Sequence, residues 1–183
     1  MMNFTAIEEV SAAATAIVVI TAIITDLRSR RIPNTLTFTA FGLAVVVHVI
    51  FQGWLGLGLA FAGALVAPAV LLVAHMGKGL GMGDLKLAAA VGAFLGPVWA
   101  VAAMLCSAVL GGLLALALLL RRGQLLSDLV ELFLIGLPFM KVRKSASVPD
   151  KSPAVMTMPY GVAIGIGSLV TLAVYAWLAS SIR

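Results

Sequence analysis

Two aspartates stand out by their surroundings. Asp26 lies in Thr25-Asp26-Leu27-Arg28-Ser29-Arg30-Arg31-Ile32-Pro33-Asn34, at the end of an apolar run. Asp84 lies in Gly79-Leu80-Gly81-Met82-Gly83-Asp84-Leu85-Lys86, at the start of another. An ionisable group at the edge of an apolar span is costly, so it suggests function. Two carboxylates held close cannot both ionise readily, and the pair keeps one proton. The ionised member can then take a proton from water while the protonated member polarises a peptide carbonyl. That is aspartic proteolysis, and it requires no metal, cofactor or acyl-enzyme. The competing readings are local: Asp26 as a carboxylate reaching the interface beside arginines, and Asp84 as a helix cap. Alternate glycines before Asp84 strip one side of the approach, so a substrate backbone can come near. Gly81, Gly83 and Lys86 are therefore the substrate-binding candidates.

Other chemistries fit less well. His48 and His75 have no His-x-x-x-His or Cys-x-x-Cys companion, which leaves them to packing or helix ends rather than metal. Cys106 is the single cysteine, so neither an intramolecular disulfide nor a thiolate metal site can form. No Gly-x-Ser-x-Gly sequence occurs. Metal is expected to be absent from the site.

The elements that must position these residues are set by composition. The chain has 183 residues, 62% hydrophobic and only 10% charged, with a mean hydropathy of +1.16. A soluble fold of this size cannot hide so much apolar surface, which excludes a cytosolic enzyme, a disordered tail and a nucleic-acid binder. In lipid, backbone groups must be satisfied within helices. The expectation is an all-α, polytopic membrane protein of about six transmembrane helices forming one domain over residues 1–183. The expected spans are Ala6–Thr25, Thr35–Ile50, Trp54–His75, Leu85–Leu95, Pro97–Leu120 and Pro159–Ser181. The fourth is too short to cross alone, and the glycines before Asp84 account for its apparent break. Pro33 stops a helix from running through, and Asn34 is the expected cap of span two.

Eleven of the twelve basic residues fall in alternate loops, after spans one, three and five. The opposite loops, at Gln52–Gly53 and Gly96–Pro97, are tiny and uncharged. This asymmetry puts both termini outside and the basic loops, with both aspartates, in the cytoplasm. Glu8 and Glu9 replace a basic n-region, so span one reads as an anchor rather than a cleaved signal. Residues 124–140 pattern as an amphipathic interfacial helix, with Gln124, Ser127, Asp128 and Glu131 on its polar face. Residues 141–157 read as a flexible cytoplasmic loop. Ala88, Gly92 and Gly96, and again Gly161 and Gly165, form small-residue faces suited to close helix packing.

Three segments resemble one family. The stretch Asp26 to Asn34 is similar to the first-aspartate motif of the type IV prepilin peptidases. Gly81-Met82-Gly83-Asp84 resembles their Gly-x-Gly-Asp motif, and Met158-Pro159-Tyr160-Gly161 resembles the Pro-Tyr-Gly segment that opens the last span. The resemblance runs from residue 26 to 165. It implies an aspartic endopeptidase of the bacterial inner membrane, with Asp26 and Asp84 as the catalytic pair facing the cytoplasm. It also implies prepilin substrates carrying a basic leader and a hydrophobic stem. Length and the Pro-Tyr-Gly segment look most like the short branch serving tight-adherence (Flp-type) pili. Larger members carry an N-terminal region with paired cysteines and also methylate the new amino terminus. This chain starts at span one with no such cysteines, so cleavage without methylation is expected. Presenilin-like proteases share Gly-x-Gly-Asp but expect Tyr-Asp and Pro-Ala-Leu, which are missing here. The non-enzymatic alternative is a small transporter or pilus-assembly subunit using Asp26 and Asp84 for proton or cation binding. Transport would favour an internal repeat, and none is visible.

Overall fold

The computed structural model describes residues 4–29, 32–74, 81–122 and 160–181. Four long helices make up nearly all of them: α1 (Phe4–Ser29), α2 (Asn34–Ala74), α3 (Met82–Arg122) and α4 (Tyr160–Ser181). Each is long and apolar enough to cross a membrane, and the chain is an all-α, multi-pass membrane protein. It divides into two compact units, residues 1–112 with 159–183, and residues 113–158. The first holds both aspartates. The expected interfacial helix at 124–140 and loop at 141–157 lie outside the described residues.

The count of four long helices differs from the expected six. α2 joins spans two and three and α3 joins spans four and five, each pair being two helical arms that meet at a kink. The reason is the shortness of the turns. Gly53 (φ 61°, ψ −139°) and Gly96 (φ 72°, ψ 172°) each break the helix with a single residue. These positive-φ conformations suit glycine and strain other residues by about 1–3 kcal/mol. Pro97 follows at once, at the first helical position of the next arm, where its missing N–H costs nothing.

Both 41-residue helices fold back on themselves at these glycines. In α2 the rings of Phe41 and Phe61 meet edge-to-face with centroids 5.6 Å apart. In a straight helix they would be about 30 Å apart. In α3 both Gly111 and the electrostatic field of Asp84 reach Tyr160. Those two residues would be about 40 Å apart in a straight helix. α4 runs antiparallel to α1, with Gly161 beside Asp26 and Gly165 beside Ile23 and Val19.

The interior is built from small residues. Ala22, Ala44, Ala60, Ala67, Ala88 and Ala103 are fully or almost fully buried, whereas Trp54, Leu55, Val73 and Val98 are more than 70% exposed. Lipid tails are as apolar as leucine, so helix association gains from close backbone approach rather than from hiding large side chains. The glycine faces show it. A methyl group on Gly63 would overlap the Gly92 carbonyl, and one on Gly92 would come within 2.6 Å of Ala67 Cβ. Several buried hydroxyls return their protons to carbonyls. Thr15 donates to Ser11 O (2.7 Å), and Ser107 donates to Ala103 O (2.6 Å) and across to Ile164 O (3.3 Å).

Candidate active site

Asp26 projects from the last turns of α1, one turn before the helix ends. The helix continues to Ser29, whose hydroxyl donates back to Thr25 O (2.8 Å). Asp26 therefore does not close the span, as its sequence position suggested. Asp26 is buried, and its carboxyl group faces the backbone N–H groups of Gly161 and Val162. These belong to the first turn of α4, where N–H groups have no partner within the helix. A carboxylate there meets both free donors and the positive end of the helix dipole. Oδ2 is buried and, among the described residues, has no well-formed hydrogen bond.

Asp84 occupies the third position of α3. Leu85 N donates to Gly81 O (3.3 Å), which makes Gly81 the cap residue. Asp84 Oδ2 accepts in return from Gly81 N–H (3.1 Å), the back-bond of a capping box. The helix begins at Met82 rather than Leu85, so Gly83 lies within the first turn. The capping role foreseen for Asp84 exists, and it also fixes the carboxylate in place. The two aspartates thus share an environment, each lying at a helix N-terminus, Asp26 at that of α4 and Asp84 at that of its own helix.

The N-terminus of α4 brings these two sites to one end of the bundle. Gly161 touches Asp26, and the adjacent Tyr160 lies in the electrostatic field of Asp84. Tyr160 is half-buried, with its ring against Gly111 and its hydroxyl 3.5 Å from Ser107 O. Ile32 is wedged beside both sites. A methyl on Gly83 would stand 3.4 Å from Ile32 Cβ, and one on Gly161 would stand 3.1 Å from Ile32 Cδ1. Neither Ile32 nor Tyr160 was singled out as a site residue from sequence. Their signal was membership of the Ile32-Pro33-Asn34 and Pro159-Tyr160-Gly161 tripeptides, each adjoining a carboxylate only in the fold.

The substrate-binding candidates separate. Gly81 is exposed and Gly83 half-buried, both next to Asp84. Lys86 is engaged. Its Nζ donates to Asn34 Oδ1 (2.8 Å) and lies 5.6 Å above the Phe38 ring, tying the start of α3 to that of α2. Asn34 is accordingly not the cap of α2. Pro33 O accepts from Thr37 N (3.4 Å), so Pro33 holds the cap position and the Asn34 side chain turns to Lys86.

His48 lies toward the other end of the bundle, buried, with Nδ1 donating to Ala44 O (3.1 Å). Cys106 is a half-buried free thiol within α3. No cluster of three or more His, Cys, Asp or Glu side chains occurs among the described residues.

No curated protein and no solved structure matches the chain. A family model does. It covers residues 13–116, and so takes in Asp26, the turn at Ile32–Asn34 and the Gly81–Asp84 segment. The chain belongs to the type IV leader peptidase family.

Proposed function

We propose that the protein is an aspartic endopeptidase that removes the basic leader from type IV prepilins of the Flp-like kind, at the cytoplasmic face of the bacterial inner membrane. Asp26 and Asp84 are its catalytic pair. The observation that carries the reading is the position of α4, whose first two residues reach one aspartate each. Family membership supports a leader peptidase at the coarser level.

The proposed chemistry follows from two carboxyl groups sharing one proton. The ionised group accepts a proton from water as the water oxygen attacks the scissile carbonyl carbon. The protonated group donates to the carbonyl oxygen, giving a neutral tetrahedral diol. Collapse breaks the C–N bond, and a carboxyl proton passes to the leaving nitrogen. Gly81 and Gly83 leave space for the extended cleavage-site backbone, and the hydrophobic stem stays in the bilayer. No cofactor takes part.

The test is co-expression with a Flp-type prepilin, reading leader loss by gel and the new terminus by mass spectrometry. Asp26→Asn and Asp84→Asn should each lose cleavage almost entirely, and the double variant should be little worse, because the two act as one unit. Cleavage by either purified variant at near the wild-type rate would sink the assignment. The capping bond from Gly81 favours one rival reading, in which Asp84 is structural only. That outcome would then stand.

A further inference from the structure

Two glycines that border the aspartates meet the same side chain, that of Ile32. A methyl group on Gly83, the residue before Asp84, would stand 3.4 Å from Ile32 Cβ and 3.9 Å from Cγ1. A methyl group on Gly161 would stand 3.1 Å from Ile32 Cδ1 and 2.8 Å from Asp26 Oδ2. The Ile32 side chain therefore extends from the backbone just before Asp84 to the backbone that borders Asp26.

Its position is held from several sides. Ile32 is non-helical and precedes Pro33, which restricts it to extended backbone. A β-branched side chain has few rotamers available to it. It is half-buried and packs against the core, as do Leu36, Leu85 and Tyr160. Ile32 is thus a fixed wall rather than a swinging arm. Asp26 itself is buried, whereas Ile32, Gly83 and Asp84 are half-buried. The way in to the buried carboxyl group accordingly begins at Gly83 and runs along Ile32.

A peptide bond that is cleaved by both carboxyl groups must come within hydrogen-bond reach of each. The residues flanking it then pass Ile32. Space there is limited to single carbons: a methyl on Gly83 only just reaches contact, and one on Gly161 does not fit. The wall is a hydrocarbon with no donor or acceptor, so it selects by size and not by hydrogen bonding. We propose that Ile32 is a specificity-determining residue, which restricts one of the two residues flanking the scissile bond to glycine or alanine. This inference rests on the peptidase reading above and adds a size filter to it.

The test uses the whole purified protein in detergent and a series of Flp-type prepilins. Each residue flanking the scissile bond is made glycine, alanine, valine or leucine in turn, and kcat/KM is measured for each. For the wild type, exchanging alanine for valine at one of the two positions should cost about tenfold or more, the scale of a methylene in a tight pocket. Ile32→Ala should narrow that alanine-to-valine ratio by about fivefold or more, and Ile32→Phe should reject alanine as well. Ile32→Val removes only Cδ1 and is the milder variant, so it carries the test if Ile32→Ala does not fold. It should narrow the ratio by about threefold. Preference at the other flanking position should stay unchanged in all three. Leu36→Ala, which alters a neighbouring core contact, should lower the unfolding midpoint and leave the size profile as it is. The proposal is overturned if the wild type accepts valine at both positions as readily as alanine. It is also overturned if folded Ile32 variants keep the wild-type profile, or if Leu36→Ala broadens it equally. An unchanged profile with cleavage intact removes the role of Ile32 alone. If the wild type cleaves no member of the series, the peptidase reading itself fails, and this inference falls with it.

Discussion

Gly161 lies directly against the carboxyl group of Asp26: a methyl group in place of its hydrogen would stand 2.8 Å from Oδ2 and 3.1 Å from Cγ. The opening of α4 thus depends on glycine to admit a carboxylate. Gly161→Ala should push the Asp26 side chain off its backbone donors. About a 10- to 100-fold loss of prepilin cleavage is expected, since a displacement near 1 Å can cost that much. Gly165→Ala is the matched control. Its methyl would meet Ile23 side-chain carbons at 2.5 and 2.6 Å, one turn away from the carboxylate. It should lower the unfolding midpoint, by about 1–3 kcal/mol of overpacking, with less effect on cleavage per folded molecule. Equal cleavage losses in the two variants would argue against a specific role for Gly161.

Gly83 has room for one methyl group and no more. Its added Cβ would sit at ordinary contact distance, 3.4 Å, from Ile32 Cβ. Gly83→Ala should retain most cleavage, and Gly83→Val should lose it while still inserting in the membrane. Ile32→Ala should restore part of the activity of Gly83→Val if the collision is with Ile32. Wild-type cleavage by Gly83→Val would remove the case for a groove there.

Asp84 has two tasks that separate by substitution. Asp84→Asn keeps a side-chain oxygen to accept from Gly81 N–H, whereas Asp84→Ala removes it. Both should abolish cleavage. Only the alanine variant should lose the capping contribution of about 1 kcal/mol, read as a lower unfolding midpoint in detergent. Active Asp84→Ala would show that the carboxyl group is dispensable.

Lys86 is read in sequence as a substrate contact, and the structure ties it to Asn34 at 2.8 Å. A double-mutant cycle distinguishes the roles. If the tie is what matters, Lys86→Met and Asn34→Ala should lower cleavage alike, and the double variant should match either single. If Lys86 also holds substrate, Lys86→Met should raise KM well beyond Asn34→Ala.

Sidedness follows from charge. Reporter fusions after Arg31, Lys86 and Lys144 should read as cytoplasmic, and fusions at Gly53 and Gly96 as external. A cytoplasmic signal at Gly53 or Gly96 would invert the proposed placement of the aspartates.

Composition alone determines that this chain lives in lipid, because so few charges and so much apolar surface admit no soluble core. The motifs around Asp26 and Asp84 also stand out in the sequence, since an ionisable group at the edge of a span is costly. The places where the chain reverses are also written locally, in Gln52–Gly53 and Gly96–Pro97. Whether such a turn separates two helices or merely bends one depends on a single φ/ψ pair, and periodicity carries no trace of it. The partners of each aspartate belong to the tertiary structure alone. Gly161 lies 135 positions from Asp26 in sequence and touches it only because α4 returns antiparallel along α1. Lys86 reaches Asn34 only because α3 starts beside α2.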